Sequence, residues 1–443
     1  MERTEYTLRE VSSPADEAEF LDFARRLYAG EKHWVCPLDE DIRKVFDPSV
    51  NEKFRCGEAV RWLVADGSGR TAGRIAAFWN EESAAAEKQP TGGCGFFECI
   101  DDRRAADMLF DAARDWLAAR GMEAMDGPVN FGPRDSWWGV LVDGFDCDPL
   151  YGNNYNFPYY KDLFEGYGFR NYFNQYSYVW NIGRDAMNER VYGRAERIMN
   201  TPGYSVSTID MNDLEGAAES LRQIYNKAWA LFPGVKPMGA EEVQRMMRTL
   251  RPVIDPDLIY FARHNGEPIG FFVMIPDLNR LIGRFGGRFG LWQKLRLMWD
   301  LKVRRRCDRI FGLIFGIAPE YHGKGIESAI FLYIYKNFFA NPRRRRKFPY
   351  KSFEFAWIGD FNPVMNRMIT NYVGASRHKT HTTYRYLFDR TREFERCPRL
   401  DMIRPASPAE PAEPAATAAT TEPAEPASPA SPQNVTTEST ETK

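Results

Sequence analysis

The chain is 443 residues long, enough for two or three domains, and its 44% hydrophobic and 27% charged residues are the balance of an ordinary soluble globular protein. A net charge of −2 argues against a dedicated nucleic-acid binder, although it hides strong local asymmetry. No apolar run approaches the ~20 residues of a membrane-spanning helix, the polar start argues against a secretory signal, and seven scattered cysteines without paired Cys-x-x-Cys spacing argue against a zinc site and suit reduced cytoplasmic thiols.

In the first half, Phe20, Leu21, Phe23, Ala24, Leu27 and Tyr28 have the spacing of a buried helix face. Residues 61–65 and 73–79 flank an Asp66-Gly67-Ser68-Gly69 turn and predict a hairpin. A strand follows over 95–99, a helix over 103–120 stopped by Gly121, and a strand over 123–129. A short helix over 159–167 ends at Gly168, and a strand over 175–180 completes the unit.

The second half repeats this order. Leu221, Ile224, Tyr225 and Trp229 share one helix face. Residues 258–263 and 269–275 flank the turn His264-Asn265-Gly266-Glu267. A strand at 311–317 leads into a helix over 325–339, then a strand at 353–357, a helix from Pro363 to about Gly374, and a closing strand over 382–387. The shared order is that of a mixed α/β layer fold and fits two tandem copies better than one large sheet. The expected division is a unit over 1–182, a linker over 183–203, a unit over 204–400, and a disordered tail over 401–443 made of Pro, Ala, Glu, Ser and Thr.

One loop carries recognisable chemistry. Ala318-Pro319-Glu320-Tyr321-His322-Gly323-Lys324-Gly325-Ile326-Glu327 runs from a strand into a helix N-terminus, where unpaired N–H groups and the helix dipole suit a pyrophosphate. The first half has Ile100-Asp101-Asp102-Arg103-Arg104 there, with two aspartates in place of glycines, and is not expected to bind such an anion.

The second loop resembles the acyl-CoA loop of the GNAT superfamily of N-acyltransferases, whose Arg/Gln-x-x-Gly-x-Gly/Ala pattern falls on His322, Gly325 and Glu327. His322 and Glu327 depart from it, and Glu327 places a carboxylate near the expected phosphates. The segment from Asp360 through Asn362 and Asn366 to Gly374 resembles the region that contacts the CoA thiol end. The tyrosine that commonly protonates the thiolate is replaced by Thr370, and Tyr372 is two residues out of register.

Residues 33–387 are similar to the YghO-like, bacterial ceramide synthase-like proteins. The matching residues are His33 to Leu38, Gly95 to Glu98, Gly127 to Asn130, Leu141 to Asp146, Tyr155 to Tyr160, Ile224 to Asn226 with Trp229, Asp255 to Asp257 and Pro276 to Asn279. The chain departs from them near residues 230–233. The resemblance implies transfer of an acyl group from acyl-CoA or acetyl-CoA, or another acyl thioester, to an amine, which in the characterised branch belongs to a sphingoid base.

It implies a CoA site at Phe315, Gly316, Ile317, His322, Gly323, Lys324, Gly325, Ile326 and Asn366. Asp360, Asp277 and Asn362, in or beside matched motifs, are the catalytic candidates. Asn130, Asp143, Asn156, Tyr159, Tyr160 and Asn279 are the candidates for substrate contact, although Asn and Asp in loops more often fix turns. No metal is implied. A Fem-like aminoacyl-tRNA-dependent transferase and a non-catalytic acyl-CoA or lipid sensor remain as alternatives.

Charge supplies one independent observation. Between 280 and 309 many Arg and Lys face only Asp300 and Asp308, interleaved with Trp292, Leu295, Leu297, Met298, Trp299 and Leu301. With the cluster from Arg343 to Lys347, this stretch fits an interfacial helix on the inner face of the membrane and fits equally a cationic surface helix packed on its own domain.

Overall fold

The computed structural model describes residues 5–85, 88–134, 136–182, 189–229, 237–339, 343 and 348–399. The tail expected over 401–443, residues 344–347 and the divergent stretch at 230–233 lie outside the described residues.

The first half contains β1 (Tyr6–Glu10), α1 (Pro14–Leu27), α2 (Asp39–Val45), β2 (Gly57–Asp66), β3 (Thr71–Asn80), α3 (Glu81–Ala85), β4 (Thr91–Cys99), α4 (Arg103–Ala118), β5 (Ala124–Gly127), β6 (Val140–Asp143), α5 (Tyr160–Tyr167) and β7 (Arg170–Asn181). Helix α6 (Glu189–Met199) occupies the stretch expected to be a linker. The second half contains β8 (Tyr204–Thr208), α7 (Leu214–Trp229), α8 (Ala240–Leu250), β9 (Ile259–His264), β10 (Glu267–Pro276), α9 (Asn279–Ile282), α10 (Leu291–Met298), β11 (Arg309–Ile317), α11 (Ile326–Ile334), β12 (Ser352–Gly359), a short helix Pro363–Arg367 and β13 (Ser376–Leu387).

Local chemistry sets many of these boundaries. Ser13 and Asp16 form a capping box in front of α1, with Pro14 in its first turn. Gly168, at φ 116°, ends α5. Asn265 and Gly266 both take positive φ and make the tight turn between β9 and β10. The leading strands β1 and β8 were not foreseen. They are short edge strands, paired to β2 and β9, with a weak apolar pattern of their own.

The repeat is present, but the two copies share one continuous sheet. Its order is β1-β2-β3-β4-β5-β13-β7-β12-β11-β10-β9-β8, with β6 paired to β13. The final strands are exchanged. β13 lies between β5 and β7, and β7 lies between β13 and β12. The expectation that 175–180 closes the first unit and 382–387 the second is therefore corrected: each closes the other. Side chains follow the backbone. Tyr384 and Tyr386 of β13 enter the core built by α4 and α5, whereas Tyr178 and Trp180 of β7 enter the core under α11. On the opposite faces, α1 and α2 cover the first half and α7 and α8 the second.

Charges are buried where the halves meet. Glu354 of β12 is fully buried, with Lys379 of β13 2.7 Å away, His378 at 3.2 Å and Arg309 of β11 at 3.7 Å. Arg309 also pairs with Asp277 at 2.6 Å and donates to the carbonyls of Asp148 and Pro149. Burial pushes the Glu354 carboxyl up, but Lys379, His378 and Arg309 outweigh it and hold it at about 2.

Because the folded value lies below the ordinary 4.5, this group's stabilisation is present above pH 4.5 and is lost as pH falls through about 2. Replacing Lys379 with Met leaves the carboxylate buried with its closest cation gone and should cost about 3–5 kcal/mol, read by denaturant melts at pH 7. Part of that loss should be recovered in Lys379→Met with Glu354→Gln.

Candidate functional site

β11 and β12 are parallel and paired only from Arg309–Ser352 to Gly312–Phe355. Beyond that point β11 runs on to Ile317, paired with β10, and β12 runs on to Gly359, paired with β7. Each strand carries an irregularity where they part. On β11, Val273 faces Ile314 and Met274 faces Gly312, so Leu313 is an extra, bulged residue. On β12 the register shifts between Phe355 and Ile358, and Trp357 sits at φ 64°. The result is a wedge between neighbouring strands, with the backbone of residues 313–317 along one wall.

The wedge leads to the Gly-rich loop. Ala318 N–H donates to Ile269 O (2.9 Å), and the chain turns through residues 319–321 to Gly323 and Gly325, at φ 70° and 89°. Gly325 caps α11 without a side-chain hydrogen bond, so the first N–H groups of the helix have no capping oxygen from it. Ile326 is buried and anchors the first turn in the core. His322 Nε2 donates to Ile317 O (2.9 Å), and Lys324 lies over the Tyr321 ring. Arg194 of α6 donates to Gly323 O. A Cβ at Gly325 would approach the side chains of Arg194 and Ile198 to 2.8 Å, and the positive φ is what favours glycine there. Phe315 packs with Phe272 and Phe331 behind β11.

The first half has the same wedge, and it is filled. β4 and β5 pair only from Thr91–Ala124 to Gly93–Asp126, and β4 bulges between its Gly95 and Glu98 pairings. Val129 N–H donates to Cys94 O (2.8 Å), and a Cβ at Gly95 would strike Val129 O. Cys99 N–H donates to Tyr160 Oη (3.1 Å), and Tyr159 Oη donates to Cys99 O (2.7 Å). At the helix N-terminus, Asp102 accepts from Arg104 N–H (2.8 Å) and from Tyr6 Oη (2.9 Å). That carboxylate sits where an anion would need donors.

Tyr159 and Tyr160 plug the first wedge, and Tyr160 also donates to the part-buried Glu98 (2.7 Å) beside Tyr28 and Arg74. Asn156 bonds Leu141 N and O (2.7 and 3.0 Å) and so braces β6, on which Asp143 is exposed. Asn279 donates to Pro149 O (3.1 Å), and the buried Asn130 lies against Pro133 O and Gly132. These six do not converge on the open wedge.

Asp277 lies at the opposite end of β11, level with Arg309. Its oxygens are occupied by Arg309, Tyr151 N–H and Asn279 N–H. Asn362 caps the short helix by accepting from Met365 N–H (3.1 Å). Asp360 accepts from Asn174 and Arg396 (3.0 and 2.7 Å). Asn366 donates to Gly359 O and Asn362 O and accepts from Tyr178 Oη (2.6 Å), fixing the turn at the end of β12. Thr370 donates to Asn366 O (2.9 Å).

Tyr178 and Arg194 are new to the site. Strand exchange brings the first, whose hydroxyl burial holds above the ordinary range, and the unforeseen α6 brings the second. Neither has a local motif. In the plugged half, Tyr160→Phe should cost about 1–3 kcal/mol in a thermal melt, because Glu98 and Cys99 N–H lose a buried partner.

No family model matches the chain. It is similar to the bacterial ceramide synthase of Caulobacter vibrioides (strain NA1000 / CB15N), 27% identical over 380 residues, covering 84% of this chain and 95% of that protein. It is also similar to protein YghO of Escherichia coli (strain K12), 26% identical over 371 residues, covering 82% and 91%. Among solved structures it is similar to a tandem GNAT protein from the clavulanic acid biosynthesis pathway, 12% identical, TM-score 0.49, covering 87% of this chain and 99% of that one. A GCN5-related N-acetyltransferase from Sphaerobacter thermophilus is 11% identical, TM-score 0.45, with 86% and 96% covered. The resemblance to bacterial ceramide synthase-like proteins thus spans most of the chain, and the enzyme class it implies, an N-acyltransferase, stands with it.

Proposed function

We propose that this chain moves an acyl group from an acyl-CoA thioester to an amine, and that the amine is a long-chain, sphingoid-type base. The observation that carries the reading is the contrast between the two wedges: one is plugged and capped by a carboxylate, the other has free strand edge leading to a glycine-capped helix. The N–H groups at the start of α11 would bind the pyrophosphate, with Gly323 and Gly325 permitting close approach. The pantetheine arm would pair with the edge of residues 313–317, and N–H groups near Phe315, Gly316 and Ile317 would polarise the thioester carbonyl. The amine, once deprotonated, would attack directly and expel the CoA thiolate, with no covalent enzyme intermediate. The sphingoid acceptor is supported by the likeness to the Caulobacter vibrioides protein over 95% of its length. Peripheral contact with a membrane surface belongs to the same reading.

Purified protein given labelled long-chain acyl-CoA and sphinganine should yield the N-acyl product. Binding of acyl-CoA with no product across sphinganine and simpler long-chain amines would contradict catalysis and favour a sensor. Gly325→Val should abolish acyl-CoA binding in calorimetry while the melting transition persists; undiminished binding would remove the loop from the site.

A further inference from the structure

We propose that the outer face of α10 and its continuation to Val303 is a docking surface for an anionic lipid bilayer. The inference rests on the lipid-acceptor reading only for its purpose; the binding itself is argued from exposure and charge.

Eight large apolar side chains are exposed among the described residues, and five lie on this one helix: Leu291 (72%), Trp292 (80%), Leu295 (54%), Trp299 (50%) and Val303 (58%). Leu291, Trp292, Leu295 and Trp299 fall at i, i+1, i+4 and i+8, on one side of the helix. Leu297 and Leu301, on the other side, are buried in the core with Leu281 and Ile282. The helix is therefore anchored by one apolar face and presents a second to solvent. A surface helix needs only the first.

The charges that the segment carries around its outer face are predominantly of one sign, and the acidic Glu40 of α2 lies near Lys294. Of ten Lys and Arg between 280 and 309, all but Arg309 are exposed, against two aspartates. Asp300 is fully buried and is spent on Arg284, Arg296 and Arg306, which it holds around the helix. Arg288, Lys294 and Arg304 add exposed cations on either flank.

Trp and Leu in the middle of a cationic rim match the two layers of a membrane interface: acyl chains below and phosphates around. A protein partner would have to present an apolar centre inside a uniformly acidic rim, a narrower match than an anionic bilayer. A nucleic acid would leave Leu291, Leu295 and Val303 without a matching surface. Among the described residues no helix is long and apolar enough to cross a membrane, so the fit is to the surface.

The full chain should co-sediment with vesicles of phosphatidylglycerol and phosphatidylethanolamine and not with phosphatidylcholine alone. Binding should weaken with added salt, and tryptophan emission should shift to the blue. Trp292→Ser with Leu295→Ser should weaken binding at least about tenfold with an unchanged melt, since both side chains are exposed. Absence of binding to the anionic vesicles, or binding that survives the double variant, would overturn the proposal. So would RNA binding in place of vesicle binding, or a self-association in size-exclusion chromatography that the double variant abolishes. Acylation of a short, water-soluble amine reports separately on the chemistry: turnover without vesicle binding sinks the docking face alone, and vesicle binding without turnover on any amine sinks the acyl-transfer reading alone.

Discussion

A carboxylate buried inside a β-sheet dictates the layout of this molecule. Glu354 lies on β12 with no exposed surface, and its closest cation, Lys379, comes from the strand at the far end of the chain. An unpaired charge there would be far costlier than any single packing contact, so the pair fixes β13 and β12 in register on either side of β7. Arg309 extends the constraint to β11 and Asp277. Strands β11 and β12 are thereby held together at the end where they start. They part at the other, and the parting is what makes a site.

Much of the fold was legible because its punctuation is local. The Asp-Gly and Asn-Gly turns, the glycine stops and the 3.6-residue apolar spacing lie within a few residues of the features they specify. The partner of a strand is not local. β7 and β13 each read as a closing strand, and nothing within 175–180 or 382–387 says whose sheet is closed. The same holds for α6, whose polar sequence looks like a linker until Arg194 meets Gly323 and Ile198 meets Gly325.

The candidate site was legible in part for a related reason. Gly323 and Gly325 announce a loop by their residue type. Tyr159 and Tyr160 fill a wedge and Asn156 braces a strand, and a motif does not distinguish these tasks from touching a ligand. Asp277 raises the same difficulty: a buried, paired carboxylate and a catalytic one look alike as letters. The two halves diverge by small chemical steps at equivalent places. Asp102 caps the helix in one half where Gly325 caps it in the other, and Val129 pairs a strand edge whose counterpart beside β11 stays open.

The exchange of final strands also bears on how the protein is made. During vectorial synthesis the first half emerges complete in its own sequence, yet β5 has no neighbour on its far side until β13 has left the ribosome, some 250 residues later. For that interval the edge of β5 and the core under α4 and α5, which wait for Tyr384 and Tyr386, are open to solvent. Neither copy has a complete sheet without the strand that the other supplies.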